Sequence, residues 1–217
     1  LNIEHLEVSD GAMREGLLYD LLGRLQHEDA RERTVHAMEA RYHVDLGQAQ
    51  RVADMAARLH AQCAESWRLE SELAGLALGW AARLHEIGLD ISHDGFHRHG
   101  AYVAEWADMP GFPRAEQRQM AILSGSPRNA IDTTRLKPLP RAWRDSALRL
   151  AILLRLAVLL NRSRKELNHP PVTIQVNENS IRISFDAEWL ARNPLTIADL
   201  EGERGYLDNV GYQLELL

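Results

Sequence analysis

The chain has 217 residues, 45% of them hydrophobic and 6% aromatic, with 25 basic side chains against 31 acidic ones and a single cysteine. That length and apolar content suffice for a packed core and exclude a disordered chain. The net charge of −6 argues against a generic nucleic-acid binder, which presents a basic face. One cysteine, Cys63, excludes an internal disulfide and fits a reducing compartment, so a cytoplasmic location is expected.

The first residues, LNIEHLEVSD, show no signal-peptide pattern and lack an initiator Met, so the chain reads as trimmed at its N-terminus. Residues 11–27 place Met13, Leu17, Leu18, Leu21, Leu22 and Leu25 at helical spacing. A second helix is predicted from Asp29 to Tyr42, with Asp29 as its cap. Asp45 caps the next, which runs to Trp67. Ser71 opens another, and Gly88 suits its end. A Gly-, Asp- and His-rich loop spans 88–100. Helices are predicted at 98–108 and 114–124, and the proline-punctuated stretch 125–140 reads as a surface connection.

A strong helix follows from Arg141 to Arg164. Its apolar run, Leu150 to Leu160, is interrupted by Arg155 and is shorter than the ~20 residues that span a bilayer, so no membrane partner is expected. After Pro171 the pattern changes to period two. VTIQV and IRISF, joined by NENS, predict a β-hairpin. Short helices at 187–192 and 196–208 follow, and the tail YQLELL reads as a third antiparallel strand. The expected fold is mainly α, a helical domain with a small antiparallel β-sheet near the C-terminus; that the helical domain is HD-like is what the resemblance described below implies. The expected division is a trailing helix at 1–27, the helical domain at 28–165 and a β-hairpin/helix subdomain at 166–217.

Chemistry-bearing residues concentrate between Trp80 and Tyr102, where His85, His93, His97 and His99 fall within 23 residues. Imidazole serves as metal ligand and as proton carrier near neutral pH. His85-Glu86 ends an apolar helix, as the His-Asp pair does in HD-type metal phosphohydrolases, but with Glu in place of Asp. The upstream ligand position of that pattern falls near Gln48 and the late one near Asn161. A divalent cation needs several convergent donors, so His85 and Glu86 are a degenerate metal pair, and a buried histidine bonded to a carbonyl is the competing reading. His97, Arg98 and His99 are either a solvated loop or an anion site at a helix start. Arg144, Arg155 and Arg162 share one face of the long helix. Arg155 lies among aliphatic residues, so either it pairs with a carboxylate or it forms part of a basic wall with Arg144. Arg162, Arg164 and Lys165 read as an exposed helix end. No P-loop, G-x-S-x-G elbow or paired-cysteine zinc motif occurs. The five tryptophans read as core filling.

Five stretches, in order, carry a resemblance. They are GAMREGLLYDLL, RYHVDLGQAQRVADMA, WAARLHEIGLDISHDGFHRHGAYV, DMPGFPRAEQRQMAIL and LAILLRLAVLLNRSR, followed by PPVTIQV and IRISF. Together they resemble the C-terminal region of the exopolyphosphatase / guanosine pentaphosphate phosphohydrolase family. The resemblance implies an N-terminal half similar to acetate kinase and actin, which holds the catalytic carboxylate and removes terminal phosphate with Mg²⁺. It implies that this part pairs subunits as a homodimer and grips polyphosphate or guanosine pentaphosphate, with no catalytic residue of its own. Family members often carry a His after RQMAIL; here Ser126, Pro127 and Arg128 stand there. The alternatives are a self-sufficient variant HD phosphohydrolase using His85 and Glu86, and a ligand-free interaction domain.

Overall fold

A computed structural model describes residues 30–164 and 172–217. The helix expected at 11–27 and the Asp29 cap lie outside the described residues. Helix α1 covers residues 30–41. α2 runs Leu46–Trp67, and its Asp45 side chain accepts from the Gln48 N–H at 3.0 Å. α3 runs Glu72–Arg83, capped by Ser71. The Asp45 and Ser71 oxygens satisfy amides that the first helical turn leaves without partners. The Arg83 guanidinium bonds Glu39 and Glu32 of α1 at 2.7 Å each, tying α1 to α3.

After α3 comes a 3-10 turn, Ile87–Asp90. It presses on the first turn of α4, Phe96–Trp106. A Cβ on Gly88 would stand 1.9 Å from the Phe96 carbonyl oxygen and 2.5 Å from the Gly100 nitrogen. α4 starts two residues earlier than its pattern predicts. Its N-cap, Gly95, turns left-handed at φ 65° and gives no side-chain capping signal. α5 runs Arg114–Gly125 and α6 runs Arg141–Leu160.

The connection between α5 and α6 is not merely a surface loop. Ile131, Leu136 and Leu139 are buried, and Leu136 and Leu139 pack with Ile122 and Ala147. Prolines end the helices there, but the apolar residues between them still need cover.

β1 (Val172–Asn177) and β2 (Ser180–Phe185) form the expected antiparallel hairpin, pairing Ile174 with Ile183. β3 (Gln213–Leu216) joins the other side of β2, but parallel to it, which corrects the antiparallel expectation. Helices α7 (Ala187–Arg192) and α8 (Pro194–Asp208) intervene. They form the crossover that a parallel neighbour requires.

The outer side of β1 is fastened by α2. The Gln62 Oε1 accepts from the Ile174 N–H at 3.0 Å, and the Trp67 indole donates to the Asn177 carbonyl at 3.3 Å. One apolar core runs from α2 and α6 into the sheet through Ile174, Ile181 and Ile183. Cys63 is buried in it, and burial pushes its thiol pKa up to about 12. Trp67 and Trp80 also fill the core, whereas Trp106 is exposed beneath the Arg114 guanidinium. No helix among the described residues is long and apolar enough to cross a membrane.

Candidate functional site

The end of α3, the start of α2 and the end of α6 meet around Gln48, His85, Glu86 and Asn161, the residues compared above with an HD-type metal centre. The Gln48 amide nitrogen donates to the Asn161 carbonyl at 3.0 Å, and the Asn161 amide donates to the Ala157 carbonyl. The Gln48 side-chain oxygen accepts from Arg51. Two neutral amides are therefore committed to protein partners. His85 is 1% exposed, and its Nδ1 lies 2.6 Å from the Ala82 carbonyl oxygen. The carbonyl can only accept, so Nδ1 carries the proton. His85 Nε2 is buried without a hydrogen-bond partner, 3.8 Å from the Glu86 carboxylate.

Positive charge reaches this place from Arg164. Its guanidinium bonds Glu86 and also reaches Asp45 at 3.2 Å. The side chain is delivered from a left-handed residue, φ 52°, just past the end of α6. That backbone region is disfavoured for a non-glycine residue. Arg164 keeps the exposure expected of a helix end and in addition bridges three segments. The donor set does not fit a divalent cation. Two of the ligand positions hold amides, and Glu86 is already neutralised. Among the described residues no group of three His, Cys, Asp or Glu converges.

From this point a cleft of about 570 Å³ opens between α6 and α8. Three ion pairs line it. Arg164 faces Glu86, Arg162 faces Asp199 at 2.7 Å, and Arg155 faces Glu203 at 2.5 Å. Arg155 is 2% exposed and also donates to the carbonyls of Ser126 and Asn129. Its interior setting is stabilised because Nε meets a carboxylate and Nη1 meets two carbonyls. Arg128 also lines the cleft, 5.1 Å from the Phe96 ring centre, with no carboxylate partner among the described residues.

A second cleft, about 730 Å³, lies across the loop that follows α5 and is lined by His97, Arg98, Tyr102, Asn129 and Arg135 among others. The Asn129 amide donates to His97 Nε2 at 3.3 Å, so the proton of the neutral ring sits on Nδ1, which is buried without a partner. Burial holds the His97 pKa below the ordinary value, and the guanidinium charges of Arg98, Arg128 and Arg155 depress it further. Three of the predicted residues, His97, Arg98 and Arg155, therefore share one electrostatic neighbourhood.

The other two do not join them. Arg144 donates to the Leu139 and Lys137 carbonyls at its own end of α6 and lines neither cleft. Its helical spacing is correct, but α6 is long enough that a shared face does not bring shared neighbours. His99 is half-buried and lines neither cleft. Sequence reasoning missed Asp199, Glu203 and Tyr206. The four-residue spacing of Ala198, Gly202 and Tyr206, which places them on one face of α8, was the available signal.

Both buried imidazoles give an acid-labile fold. Burial lowers the pKa of His85, and the Glu86 charge only partly opposes that. Above the unfolded value of ~6.5, folded and unfolded chains carry the same neutral ring, and stability is unaffected. Below it the unfolded chain takes up protons that the native state refuses. Stability is then lost, at most by about 1.4 kcal/mol per pH unit for His85, until the folded pKa is reached. Urea denaturation at pH 7.5 and 5.5 is expected to show a lower midpoint at 5.5. Equal midpoints would show that His85 and His97 are protonated in the fold.

The described residues thus form a mainly helical HD-like body with amides at Gln48 and Asn161, joined to a small sheet and carrying two arginine-lined clefts. The pattern of Ppx/GppA phosphatase, domain III, matches residues 30–204. The chain belongs to the Ppx/GppA phosphatase family. It is 37% identical over 220 residues to the guanosine-5'-triphosphate,3'-diphosphate pyrophosphatase of Vibrio cholerae serotype O1, covering 100% of this chain and 43% of that protein. The enzyme of the same name from Aliivibrio fischeri is 36% identical over 215 residues (99% and 42%), and that from Photobacterium profundum 35% over 216 residues (100% and 43%). The chain thus spans less than half the length of these relatives.

Proposed function

We propose that this chain is the substrate-holding C-terminal domain of a phosphohydrolase that removes terminal phosphate from guanosine pentaphosphate or polyphosphate. Chemistry and Mg²⁺ belong to the portion of the enzyme outside this chain. The observation that supports this reading is the Gln48–Asn161 amide pair, with the Arg164 guanidinium on Glu86, where an HD enzyme would hold its metal. Arg98 and Arg128, which have no carboxylate partner among the described residues, supply the grip on a phosphate chain. Pairing of two such chains as a homodimer is part of the same proposal.

Two measurements on the chain test it. With Mg²⁺ and polyphosphate, no release of phosphate is expected; robust turnover would show that catalysis resides here. Polyphosphate binding is expected to weaken as salt rises and to fall in Arg98→Ala and Arg128→Ala variants. Binding that ignores both changes would leave only an interaction domain.

A further inference from the structure

The loop that follows α5 is a wall shared by both clefts. Pro127 and Arg128 line the α6–α8 cleft, whereas Ser126, Asn129 and Ala130 line the second one. His97 stands against this wall and is 6% exposed. Its Nε2 accepts from the Asn129 amide at 3.3 Å, and its Nδ1 is buried without a partner. Asn129 is fixed at its backbone. It sits in the left-handed region at φ 60°, and its carbonyl accepts from Arg155 at 2.7 Å. Its side chain is tied only to the imidazole among the described residues. A carboxamide offers a donor on one side and an acceptor on the other. Turned over, it presents an oxygen to Nε2, so a protonated ring keeps its hydrogen bond.

The empty protein resists that proton. Burial disfavours it first, then the guanidiniums of Arg98 on α4, Arg128 on the loop and Arg155 on α6; Asp94, just before α4, opposes them only in part. Glu105, Asp132 and Arg135 line the same cleft, but Glu105 and Arg135 pair at 2.9 Å, and Asp132 caps the 3-10 turn Thr133–Leu136. α5 brings Ile122 and Gly125 to it, and no charge. The cations nearest His97 therefore include two, Arg98 and Arg128, with no carboxylate partner among the described residues. An anion brought to them offsets the charge that repels the proton and adds a negative charge of its own.

We propose that His97 links the anion grip to protonation: an anion held by Arg98 and Arg128 draws one proton onto Nε2, and the charged ring in turn tightens the grip. This rests on the proposed substrate-holding role and assigns its regulation by pH. His97 acts through the two guanidiniums and is a positioning residue. The link is reciprocal, so whatever the anion does to the proton, the proton does to the anion. The gain is absent at alkaline pH, where the ring is neutral both free and bound. It appears as pH falls through the raised value of the complex.

Isothermal titration calorimetry of trimetaphosphate into the whole chain tests it. This cyclic anion stays fully ionised across the range, so its own charge does not follow pH. At pH 6.0 the binding heats in MES and in Bis-Tris, whose ionisation enthalpies differ, are expected to disagree by the uptake of a fraction of one proton. Affinity is expected to be about threefold to tenfold higher at pH 5.5 than at pH 7.5, since one unit of raised pKa returns a factor of ten. His97→Gln, which stays polar but takes no proton, is expected to lose the uptake and flatten the profile. His93→Gln, which removes an imidazole of the other cleft, is expected to keep both. The His97 ring resonance, identified by its contact with Asn129, needs no variant; its titration midpoint is expected to move up when trimetaphosphate is bound.

Binding without proton uptake, or an uptake that survives His97→Gln, would overturn the proton link yet leave the substrate-holding role intact. A chain that binds no trimetaphosphate at either pH would overturn both.

Discussion

Arg155→Ala is expected to destabilise the fold by about 3–5 kcal/mol, the cost of stranding one member of a buried ion pair. The whole stability of a domain is only ~5–15 kcal/mol, so the variant approaches unfolding. Three losses add. Glu203, itself buried, keeps its charge with no partner; the Ser126 and Asn129 carbonyls lose a donor; and the Tyr206 ring loses its neighbour. Arg155→Lys is expected to recover little, because an ammonium cannot reach carboxylate and carbonyls in the same planar fork. Changing both members, Arg155→Met with Glu203→Leu, is expected to recover most of the loss, since no buried charge is then left alone. Urea denaturation of the parent chain, Arg155→Met, Glu203→Leu and the double variant supplies the cycle, with Arg155→Ala and Arg155→Lys measured beside it. A single variant within 1 kcal/mol of the parent chain would show that Glu203 is already compensated elsewhere.

Gly88→Ala is expected to be the other severe change, with a loss of about 3 kcal/mol or more. The added methyl group meets the Phe96 carbonyl oxygen at 1.9 Å and the Gly100 nitrogen at 2.5 Å, and neither atom belongs to a flexible side chain. The 3-10 turn must separate from α4, displacing Glu86 on one side and His97 on the other. A control sits nearby in α3. At Gly79 a Cβ meets nothing within 4 Å, so Gly79→Ala is expected to stabilise by about 0.5–1 kcal/mol through helix propensity. Thermal unfolding would reveal the opposite signs. A Gly88→Ala protein as stable as the parent would mean that the two segments are not in backbone contact.

Local signals explain why most of the helices and the hairpin were legible. Asp45 and Ser71 cap helices α2 and α3 as their residue types suggest, and VTIQV with IRISF pairs in the register its alternation implies. His85 bonds a carbonyl, and Arg155 takes a carboxylate; both were among the alternatives open at the outset. What was not legible depends on long-range neighbours. Arg164 meets Glu86 and Asp45 across 78 and 119 residues, and no spacing rule connects them. The direction of β3 was invisible because alternation specifies which face is buried, not which way a strand runs. Arg144 shows what a helical face does not specify: its guanidinium donates to the Leu139 and Lys137 carbonyls at its own end of α6, away from the cleft that Arg155 lines.

The hold of Gln62 on β1 has a consequence for solubility. A strand at the border of a sheet offers its free amides as a template for a foreign strand. Here the Ile174 amide is already engaged by Gln62, and the same side-chain amide lies 3.5 Å from the Val172 carbonyl oxygen. One carboxamide thereby imitates a rung of a missing neighbour at the flank nearest α2. Docking or fibril growth by strand addition there must first displace it, so a helix residue of no catalytic interest guards the sheet against self-association.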